Sequence, residues 1–415
     1  MEKKRVVVTG LGAITPLGLG VEATWQSLLA GRSGVRRITR YDPADLPTQI
    51  AAEVTDFDPV KYMDFKDAKR AARFTQFAIA ATNEALHAAG LDLAKEDRTR
   101  VGVAMGTAIG GADLIEEQTI VFHDQGIRRI NPVMVPILLP SSGACQLAIL
   151  LGAKGPTTSP VAACATGTAA IGDALRSLQY GETDVMFAGG AESALSALDI
   201  GAFSRIGALS VRNDEPQKAC RPFDAKRDGT VLGEGAAMLV METLPHALER
   251  GAPILAEVAG YSLTEDAYHI AAPEPTGEGA ARAISRALAD ADIAPSRVDY
   301  IVPHGTGTPL NDVAETKACK LAFGDHAPAI AISSIKSMLG HLLGAAGSIS
   351  AVAAVLAIRD GIVPPTINLE YPDPECDLDY VSNVARKMHV DVALANAFGF
   401  GGQNAVIVVR RYSGA

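Results

Sequence analysis

Cysteine is scarce in this sequence, and the cysteines that are present form no pattern. The five lie far apart along the chain, and no two are separated by only two residues: Cys145, Cys164, Cys220, Cys319 and Cys376. An odd number at such spacing argues against a disulfide framework or a zinc ribbon and indicates a reducing compartment. We expect the cytoplasm or a comparable matrix. The eight histidines include no HxxxH pair, so we expect no metal site.

Long apolar runs and an excess of positive charge are also lacking. The apolar run that starts at Val6 is interrupted at Gly10, which is typical of a first strand rather than a signal peptide. The uncharged stretch Leu342–Ile358 is slightly short and too rich in small residues for a membrane span. A net charge of −10 disfavours a nucleic-acid binder. No GxGxxG or Walker loop follows a predicted strand, which argues against a nucleotide enzyme.

The remaining composition is typical of a soluble globular protein with a deep core. The chain has 415 residues, of which 48% are hydrophobic, 20% charged and 5% aromatic, so we expect a core of tightly packed alanine, valine, leucine and isoleucine. Strands and helices alternate in both halves, which favours a layered α/β fold. The similar order of the halves suggests a duplication, with boundaries at 1–252 and 253–415, although no sequence repeat is strong enough to prove it.

Hydrophobic periodicity gives the expected elements. The predicted strands are Arg5–Gly10, Val101–Gly106, Thr157–Ala163, Asp184–Ala188, Gly235–Glu242, Ile254–Leu263, Asp299–Pro303, Ala329–Ile332, Ala395–Phe398 and Ala405–Arg410. The predicted helices are Val21–Ala30, Asp67–Ala89, Gly277–Ala291, Asp312–Phe323 with its N-cap at Asn311 or Asp312, and His341–Arg359, with another after Cys164.

One cysteine stands between a predicted strand and a predicted helix. Apolar residues recur on one helical face after Cys164 until Gly181 ends the pattern. A thiol at a helix N-terminus meets unpaired backbone N–H groups and the positive end of the helix dipole, which favour the thiolate. Cys164 is therefore a candidate nucleophile, and Gly167 would let a substrate approach closely. The alternative is a small buried cysteine at a strand–helix junction.

Two glycine-rich turns after predicted strands carry histidines. His304 ends a strand, where α/β proteins place functional groups, and the hydroxyls of Thr306 and Thr308 could hold a polar linker. Lys336 and His341 flank the start of a very apolar helix. A histidine at a helix N-terminus has a lowered pKa, so its neutral ring can donate an N–H to an oxyanion.

Each of these residues also has a structural interpretation when it is taken alone. Either histidine could be a satisfied core residue, and Lys336 could form an ion pair with Asp312 or Glu315. The combination of all three with a cysteine, each in a glycine-rich turn after a strand, is much harder to explain by packing.

Four motifs, in this order and spacing, resemble the β-ketoacyl-acyl-carrier-protein synthases of fatty acid synthesis, most closely the elongating synthase II type. They are Ala163-Cys164-Ala-Thr-Gly167, His304-Gly-Thr-Gly-Thr308, Lys336-Ser-Met-Leu-Gly-His341 and Phe398-Gly-Phe-Gly-Gly402. The similarity runs nearly from end to end. The resemblance implies a thiolase fold, in which two similar halves give five layers, αβαβα, usually as a homodimer.

The resemblance also implies the chemistry. Cys164 would take an acyl chain from its carrier protein. His304 and His341 would then donate to the thioester carbonyl of malonyl-carrier protein, so that loss of CO2 leaves an enolate that attacks acyl-Cys164 in a Claisen condensation. Backbone N–H groups of Cys164 and Phe400 would form the oxyanion hole, and Lys336 would tune the site electrostatically and hold the His341 loop. A Cys-His-His set separates this group from chain-starting synthases (Cys-His-Asn) and from thiolases (Cys-His-Cys).

The resemblance assigns substrate contacts as well. Thr306, Thr308 and Phe398 would contact the phosphopantetheine arm or the acyl thioester, and no other cofactor is implied. Ile109 would line the acyl pocket, unless it is an ordinary core residue. Phe400 stands between glycines and could swing as a gate over Cys164; the alternative is a fixed wall residue.

The implied partner is an acyl carrier protein, which is acidic as a class. An enzyme with a net charge of −10 must meet it with a local basic patch. The candidate docking residues recur on one predicted helix and beside Gly126: Lys66, Lys69, Arg70, Arg73, Arg128 and Arg129. A solvated helix face is the plainer explanation of such a pattern.

Two positions depart from the resemblance. Ser or Thr is frequent where Val161-Ala-Ala163 precedes the cysteine, and Thr is usual where Gln403 stands, which leaves the preferred chain length open.

Three alternative functions remain. A polyketide ketosynthase would share this chemistry with another carrier. A non-catalytic chain-length partner would lack the nucleophile. A cysteine-dependent thioester hydrolase would need only one histidine and would release free acid.

Overall fold

A computed structural model describes residues 3–414, and ten strands in these residues form one continuous sheet. In chain order they are β1 Val6–Thr15, β2 Val101–Gly106, β3 Thr157–Thr158, β4 Val185–Glu192, β5 Gly235–Thr243, β6 Ala256–Glu265, β7 Tyr300–Val302, β8 Ala331–Ile332, β9 Val392–Gly399 and β10 Gln403–Arg410. The order across the sheet is β8-β7-β9-β10-β6-β1-β5-β4-β2-β3, and Gly18–Leu19 folds back on β1. Two further pairs lie outside it: Arg36–Arg37 with Ile50–Ala51, and Ile362–Val363 with Arg386–Lys387.

The strand order shows two halves of the same topology, as the sequence suggested. Outward from the centre, the first half reads β1-β5-β4-β2-β3 and the second reads β6-β10-β9-β7-β8. The pairings also correspond: antiparallel, antiparallel, parallel and parallel in the first half, and the same in the second. The halves join where β1 pairs antiparallel with β6.

Thirteen helices lie in the described part of the chain. They are α1 Val21–Leu29, α2 Phe65–Ala68, α3 Arg73–Ala89, α4 Ala112–Gln125, α5 Met134–Leu138, α6 Ser142–Leu151, α7 Thr166–Gln179, α8 Ala197–Arg205, α9 Leu244–Glu249, α10 Glu278–Asp290, α11 Pro309–Phe323, α12 Lys336–Leu339 and α13 Ala346–Asp360. Short 3-10 turns include Ile127–Arg129, Ala163–Ala165 and Leu343–Ala345.

The helices and the sheet form five layers. Helices α3 and α6 cover the outer face of the first half, α10 and α11 cover the outer face of the second half, and α7 packs on α13 between them. The predicted αβαβα thiolase arrangement is confirmed. Helix α13 is buried from Ala346 to Ile358, as expected for a helix between two sheet surfaces, whereas α7 keeps Asp173 exposed and Arg176 half-buried. The window Leu343–Asp360 is long and apolar enough to cross a membrane, but 89% of it is buried in this layer, where it serves as a core helix.

Periodicity missed α4, α5, α6, α8, α9 and α12, and several predicted elements have other bounds in the structure. The helix predicted at His341–Arg359 begins only at Ala346, after the 3-10 turn Leu343–Ala345. The predicted helix Asp67–Ala89 is divided into α2 and α3, and Ala72 between them has an extended backbone. The strand predicted from Thr157 to Ala163 pairs over only two residues, since the chain must turn to present Cys164. Helix α11 begins at Pro309 with Thr308 as its N-cap, because proline is favoured in the first helical turn.

Candidate active site

The turn that carries Cys164 is a strained connection between β3 and α7. Ala163 adopts a φ of 47°, which is uncommon for a residue with a side chain. The hydroxyl oxygen of Thr166 accepts the N–H of Ala162 at 2.8 Å and braces the turn. A Cβ on Gly399 would lie 2.8 Å from the carbonyl oxygen of Ala162, so the β9–β10 hairpin can pass over the nucleophile only with glycine there.

Gly167 does not provide substrate access, contrary to our prediction. A Cβ at this position would lie 2.8 Å from the backbone nitrogen of Ser348 and 2.9 Å from the carbonyl oxygen of Gly344. The missing side chain therefore allows α7 to approach the start of α13. This contact joins the segment that carries Cys164 to the segment that follows His341.

Cys164 is a buried thiol at rest, and this also differs from the thiolate that we predicted. Burial raises the pKa of Cys164 to about 11, although Lys336 and the backbone N–H of Phe400 act to lower it. The backbone N–H groups of Phe400 and of Cys164 itself are close enough to the sulfur to lower its pKa. They remain the predicted donors of an oxyanion hole.

His304 is held by its backbone, which leaves its ring free. Its N–H donates to Glu315 at 2.8 Å, and the N–H of Gly305 donates to the same carboxylate at 2.7 Å. Burial raises the pKa of Glu315 to about 7. The ring is buried, and its Nδ1 has no partner among the described residues. Burial and the charge of Lys336 hold the pKa of His304 well below its usual value, so the ring is neutral.

Lys336 braces the His304 turn rather than the His341 loop. Its ammonium donates to the carbonyl oxygen of His304 at 2.5 Å. The structure shows no ion pair of Lys336 with Asp312 or Glu315 among residues 3–414. Asp312 instead accepts N–H groups from Phe223 and from Gly307. Burial lowers the pKa of Lys336 to about 8.

The geometry of His341 fixes its tautomer. The N–H of Leu343 donates to Nδ1 of the His341 ring at 3.2 Å, so in the neutral ring Nε2 must carry the proton. Nε2 is buried and has no partner in the described chain. Burial and then Lys336 hold the pKa of His341 well below its usual value. The neutral state was predicted, but its main cause is burial rather than a helix terminus. His341 therefore presents an unused N–H donor.

The cysteine and the two histidines converge although they are far apart in the sequence. The sulfur of Cys164 and one ring nitrogen from each histidine lie within 4.8 Å of one another, and the ring centres of His304 and His341 are 5.3 Å apart. These residue types can also bind Zn²⁺, but the neighbouring cation of Lys336 opposes a metal ion. We keep the prediction that none is bound.

A tunnel of about 290 Å³ leads to these three side chains. Its walls include Thr306, Thr308, Phe398 and Phe400. The hydroxyls of Thr306 and Thr308 lie 2.9 Å apart, and the Phe398 ring lies 5.8 Å from that of His304. Phe400 is 37% exposed and stacks on Phe203 with 6.2 Å between ring centres.

Ile109 packs in an apolar cluster with Cys164, Leu343 and Phe203. Leu343 and Phe203 also line the tunnel, whereas Ile109 does not. The predicted role of Ile109 in an acyl pocket therefore stays a prediction, supported by its apolar surroundings beside Cys164.

The predicted docking residues do not behave alike. Lys66, Lys69, Arg70, Arg128 and Arg129 are exposed. Lys69 lines a surface cleft of about 620 Å³ that Ile120 and Asn131 also line, so the cleft links α2 to the chain just after Arg129.

The prediction that Arg73 belongs to the docking surface is wrong, because its guanidinium points inward. It forms a two-pronged ion pair with Glu234, with N···O distances of 2.8 and 2.7 Å, and donates to the carbonyl oxygen of Val54. Glu234 is fully buried and also pairs with Arg40 at 3.3 Å. Arg73 therefore shares in balancing its charge and is not free for docking.

Two buried acids near the site received no role from the sequence. Glu315 organises the His304 turn, and the sequence suggested it only as an ion-pair partner. Glu192 ends β4 and is fully buried beside Gly344. The sequence did contain a signal for Glu192, since it is a single acid at the end of an otherwise apolar strand. A charge buried there needs several hydrogen-bond donors around it.

Comparison with known proteins agrees with this geometry. Residues 3–247 match the model of the β-ketoacyl synthase N-terminal domain, and residues 255–370 match that of the β-ketoacyl synthase C-terminal domain. The chain belongs to the β-ketoacyl synthase family. Its fold and the order of its four motifs agree with membership.

Relatives of this β-ketoacyl synthase match over nearly their whole length. The chain is 51% identical to a protein of Synechocystis and 50% identical to one of Coxiella burnetii, each over 99% of both chains. Both are named 3-oxoacyl-[acyl-carrier-protein] synthase 2.

Solved structures resemble the synthase equally well. A β-ketoacyl synthase from Burkholderia phymatum superposes with a TM-score of 0.92 at 36% identity, covering 99% of this chain and 100% of that one. A type II polyketide ketosynthase, described in complex with its acyl-carrier protein and bound to the hexaketide, gives 0.92 at 37% identity with the same coverage.

Proposed function

We propose that this synthase joins an acyl chain on Cys164 to malonyl-acyl-carrier protein, giving β-ketoacyl-carrier protein and CO2 in fatty acid elongation. One observation carries the proposal: a thiol and two neutral imidazoles, one with a fixed and unused Nε2–H, meet within 4.8 Å at the end of a tunnel. A hydrolase would require only one of these histidines.

The first step is transfer of the acyl group to the enzyme. Cys164 attacks the thioester carbonyl, and its proton passes to His304, since the Nδ1 of His341 is already occupied by the N–H of Leu343. The N–H groups of Cys164 and Phe400 stabilise the oxyanion. The intermediate then collapses, the carrier thiol leaves with the proton from His304, and acyl-Cys164 remains.

The second step is decarboxylation of the malonyl group. The Nε2–H of His341 and an N–H of His304 donate to the malonyl thioester carbonyl as the bond to the carboxylate breaks. The electron pair of that bond forms the enolate, and CO2 departs. Each donor contributes about 3 kcal/mol of transition-state stabilisation. Burial and then the charge of Lys336 keep both rings uncharged by lowering their pKa values, so neither ring protonates the enolate.

The third step forms the new carbon–carbon bond. The enolate carbon attacks the carbonyl of acyl-Cys164, and the same two backbone N–H groups hold the second oxyanion. Expulsion of the cysteine sulfur as a thiolate releases the β-ketoacyl thioester. The thiolate carries the negative charge that the malonyl carboxylate left behind, and it takes up one proton from water to restore the thiol. Thr306, Thr308 and Phe398 position the phosphopantetheine arm, and Ile109 borders the acyl chain.

Phe400 acts as the gate in this proposal. Its ring is part of the tunnel wall, and it lies between Gly399 and the left-handed Gly401 and Gly402, whose φ values are 88° and 93°. Phe400→Ala should disturb the order in which the two substrates react. Unchanged elongation kinetics in that variant would remove the gating role.

An acyl carrier protein is the proposed partner. The related polyketide ketosynthase is described in complex with one. Here the exposed cations Lys66, Lys69 and Arg70 lie together on and after α2, and they would attract an acidic partner even though the chain has a net charge of −10.

We further propose a cytoplasmic homodimer. Strand β3 pairs only with β2 in the described chain, so its outer edge is open, and α6 packs beside it. Apolar side chains are exposed around this edge: Val135, Leu139, Ile149, Leu150 and Val161. An open strand edge surrounded by exposed apolar side chains favours aggregation unless another chain covers it. Pairing with a second copy would satisfy the backbone groups of β3 and bury these side chains.

A polyketide ketosynthase is the second candidate, because that structural relative matches as well as the B. phymatum synthase. The 51% and 50% identities to the two 3-oxoacyl-[acyl-carrier-protein] synthases favour fatty acid elongation. The deciding experiment supplies saturated acyl-carrier protein and malonyl-carrier protein together. The proposal expects a single two-carbon extension with CO2. Repeated extension without reduction would indicate a polyketide enzyme, and free acid without CO2 would indicate a hydrolase.

A further inference from the structure

Glu192 is a buried carboxylate that the reaction above does not use. It is fully buried at the end of β4, and no cation is among the groups that stabilise its charge. Three donors meet it instead: the hydroxyl of Thr107 at 2.7 Å, the N–H of Ala108 at 2.8 Å and the N–H of Gly344 at 3.1 Å. Burial raises the pKa of Glu192 to about 7 in spite of them. Such a costly group requires an explanation.

The three donors come from two separate segments. Thr107 and Ala108 begin the pocket loop, residues 107–111, which contains Ile109. The hydroxyl oxygen of Thr107 also accepts the N–H of Gly110 at 3.1 Å. Thr107 therefore connects Glu192 to Gly110 near the other end of the loop. Gly344 belongs instead to the segment that follows His341. One carboxylate therefore fastens the acyl side of the site to the decarboxylation side.

The two segments also touch each other directly. A Cβ on Gly344 would lie 2.5 Å from the backbone nitrogen of Ala108 and 2.9 Å from a carboxylate oxygen of Glu192. Leu343, the residue before Gly344, has a φ of 42°, a strained value for a side chain that large. Its N–H is the one that fixes the His341 tautomer. The contact path thus runs from the pocket loop through Glu192 and Gly344 to the His341 ring.

We infer that Glu192 is a positioning residue, which fixes the pocket loop and the Leu343–Gly344 backbone against each other and so aims the Nε2–H of His341 at the malonyl carbonyl. This inference rests on the proposed function. It adds a link between the acyl pocket and the decarboxylating donor: movement of the pocket loop, as when a long acyl chain enters beside Ile109, reaches His341 through one side chain.

A double-mutant cycle tests the link to His341. CO2 release from malonyl-carrier protein is measured for Glu192→Gln, His341→Ala and the double variant, with melting temperature as the check on folding. Because the amide leaves the shape nearly unchanged but weakens acceptance from two N–H groups, Glu192→Gln should slow CO2 release about tenfold or more. In the His341→Ala background it should slow release less than twofold.

The results that would contradict the inference differ from those that would contradict the proposed function. If Glu192→Gln slows CO2 release by the same factor with and without His341, Glu192 does not act through that ring and the inference fails. If the wild-type protein releases no CO2, the proposed function fails instead.

A milder pair of variants tests the pocket loop. Thr107→Val removes one hydroxyl contact with Glu192, and Thr107→Ser keeps it. Thr107→Val should lower the rate of acylation of Cys164 by long chains more than by short ones, and Thr107→Ser should restore the wild-type ratio. The same ratio of long-chain to short-chain acylation in all three proteins would overturn the pocket half of the inference.

Discussion

At the scale of single residues, burial sets the protonation state of each reacting group. Cys164 stays a thiol and both histidines stay neutral. The charge of Lys336 acts to lower all three pKa values, which favours the thiolate of Cys164 and the neutral form of each ring. The motifs identified all four residues from the sequence. The sequence could not show that His341 is fixed by the N–H of Leu343, because that depends on one strained backbone turn.

The buried charge of Lys336 should cost stability. Its pKa is about 8 in the fold against an ordinary 10.5, so the penalty is complete below pH 8 and disappears as pH rises towards 10.5. That difference corresponds to about 3 kcal/mol, from which the lost bond to the His304 carbonyl removes about 1 to 2 kcal/mol. Lys336→Met should therefore be more stable than wild type at pH 7 by about 1 to 2 kcal/mol.

Denaturant unfolding at pH 7 and pH 10 measures this difference. The advantage of Lys336→Met should shrink at pH 10, and its condensation activity should be lost at both values. Lys61→Met, at an exposed position, is the control and should change neither quantity. A variant less stable than wild type at pH 7 would show that Lys336 stabilises the fold.

At the scale of elements, periodicity predicted all ten strands of the sheet, but it missed six of the thirteen described helices: α4, α5, α6, α8, α9 and α12. Two further differences lie beside the site. The run Thr157–Ala163 has strand composition but is diverted to place Cys164 in a strained turn. Helix α11 starts three residues earlier than predicted because Pro309 begins it. Local preference gives way where the chain must build a reactive geometry.

In the proposed mechanism the β9–β10 hairpin supplies one oxyanion donor, and the hairpin should be sensitive to added volume. A Cβ on Gly399 would lie 2.8 Å from the Ala162 carbonyl oxygen and 3.2 Å from the Cys164 nitrogen, so Gly399→Ala should push the Phe400 N–H away from the sulfur. Acylation of Cys164 should fall about a hundredfold, while malonyl decarboxylation, which uses the histidines, should be largely retained. Equal loss of both half-reactions would argue that the hairpin only supports the fold.

The segment around α2 should control the affinity for carrier protein. Lys69→Glu combined with Arg70→Glu should raise KM for carrier-bound substrates severalfold and spare small thioesters, since only the partner is charged. Arg73→Glu should behave differently: it places two acids together beside Val54 and should lower the melting temperature, because Arg73 shares in balancing the buried Glu234. Equal losses on both substrate types in the Lys69/Arg70 variant would count against docking there.

At the scale of the whole molecule, duplication explains why the site exists. The two halves share one strand order, and each contributes a central helix, α7 or α13, whose N-terminal approach carries a reactive residue. The sequence suggested this symmetry from the similar order of elements. The strand pairing could not be predicted, because the sequence contains no repeat strong enough to align the two halves.

The proposed dimer makes a separate prediction. Ile149 and Leu150 on α6 are 80% and 48% exposed, next to the open edge of β3. Replacing both by Glu should give a monomer in sedimentation analysis, since two charges would be buried unpaired in the interface. Leu248→Glu, at an exposed site on α9, is the control and should leave the mass unchanged. A monomeric wild type would reject the proposal.

The central claim is that the thiol and the two imidazoles act on two substrates in one chamber, and separated half-reactions test it most directly. Cys164→Ala and His341→Ala are each assayed for acyl transfer to the enzyme and for CO2 release from malonyl-carrier protein. We predict that Cys164→Ala releases CO2 without forming β-ketoacyl product, and that His341→Ala accepts the acyl group but loses CO2 release about a hundredfold or more. Rapid CO2 release by His341→Ala, or β-ketoacyl product from Cys164→Ala, would contradict the account.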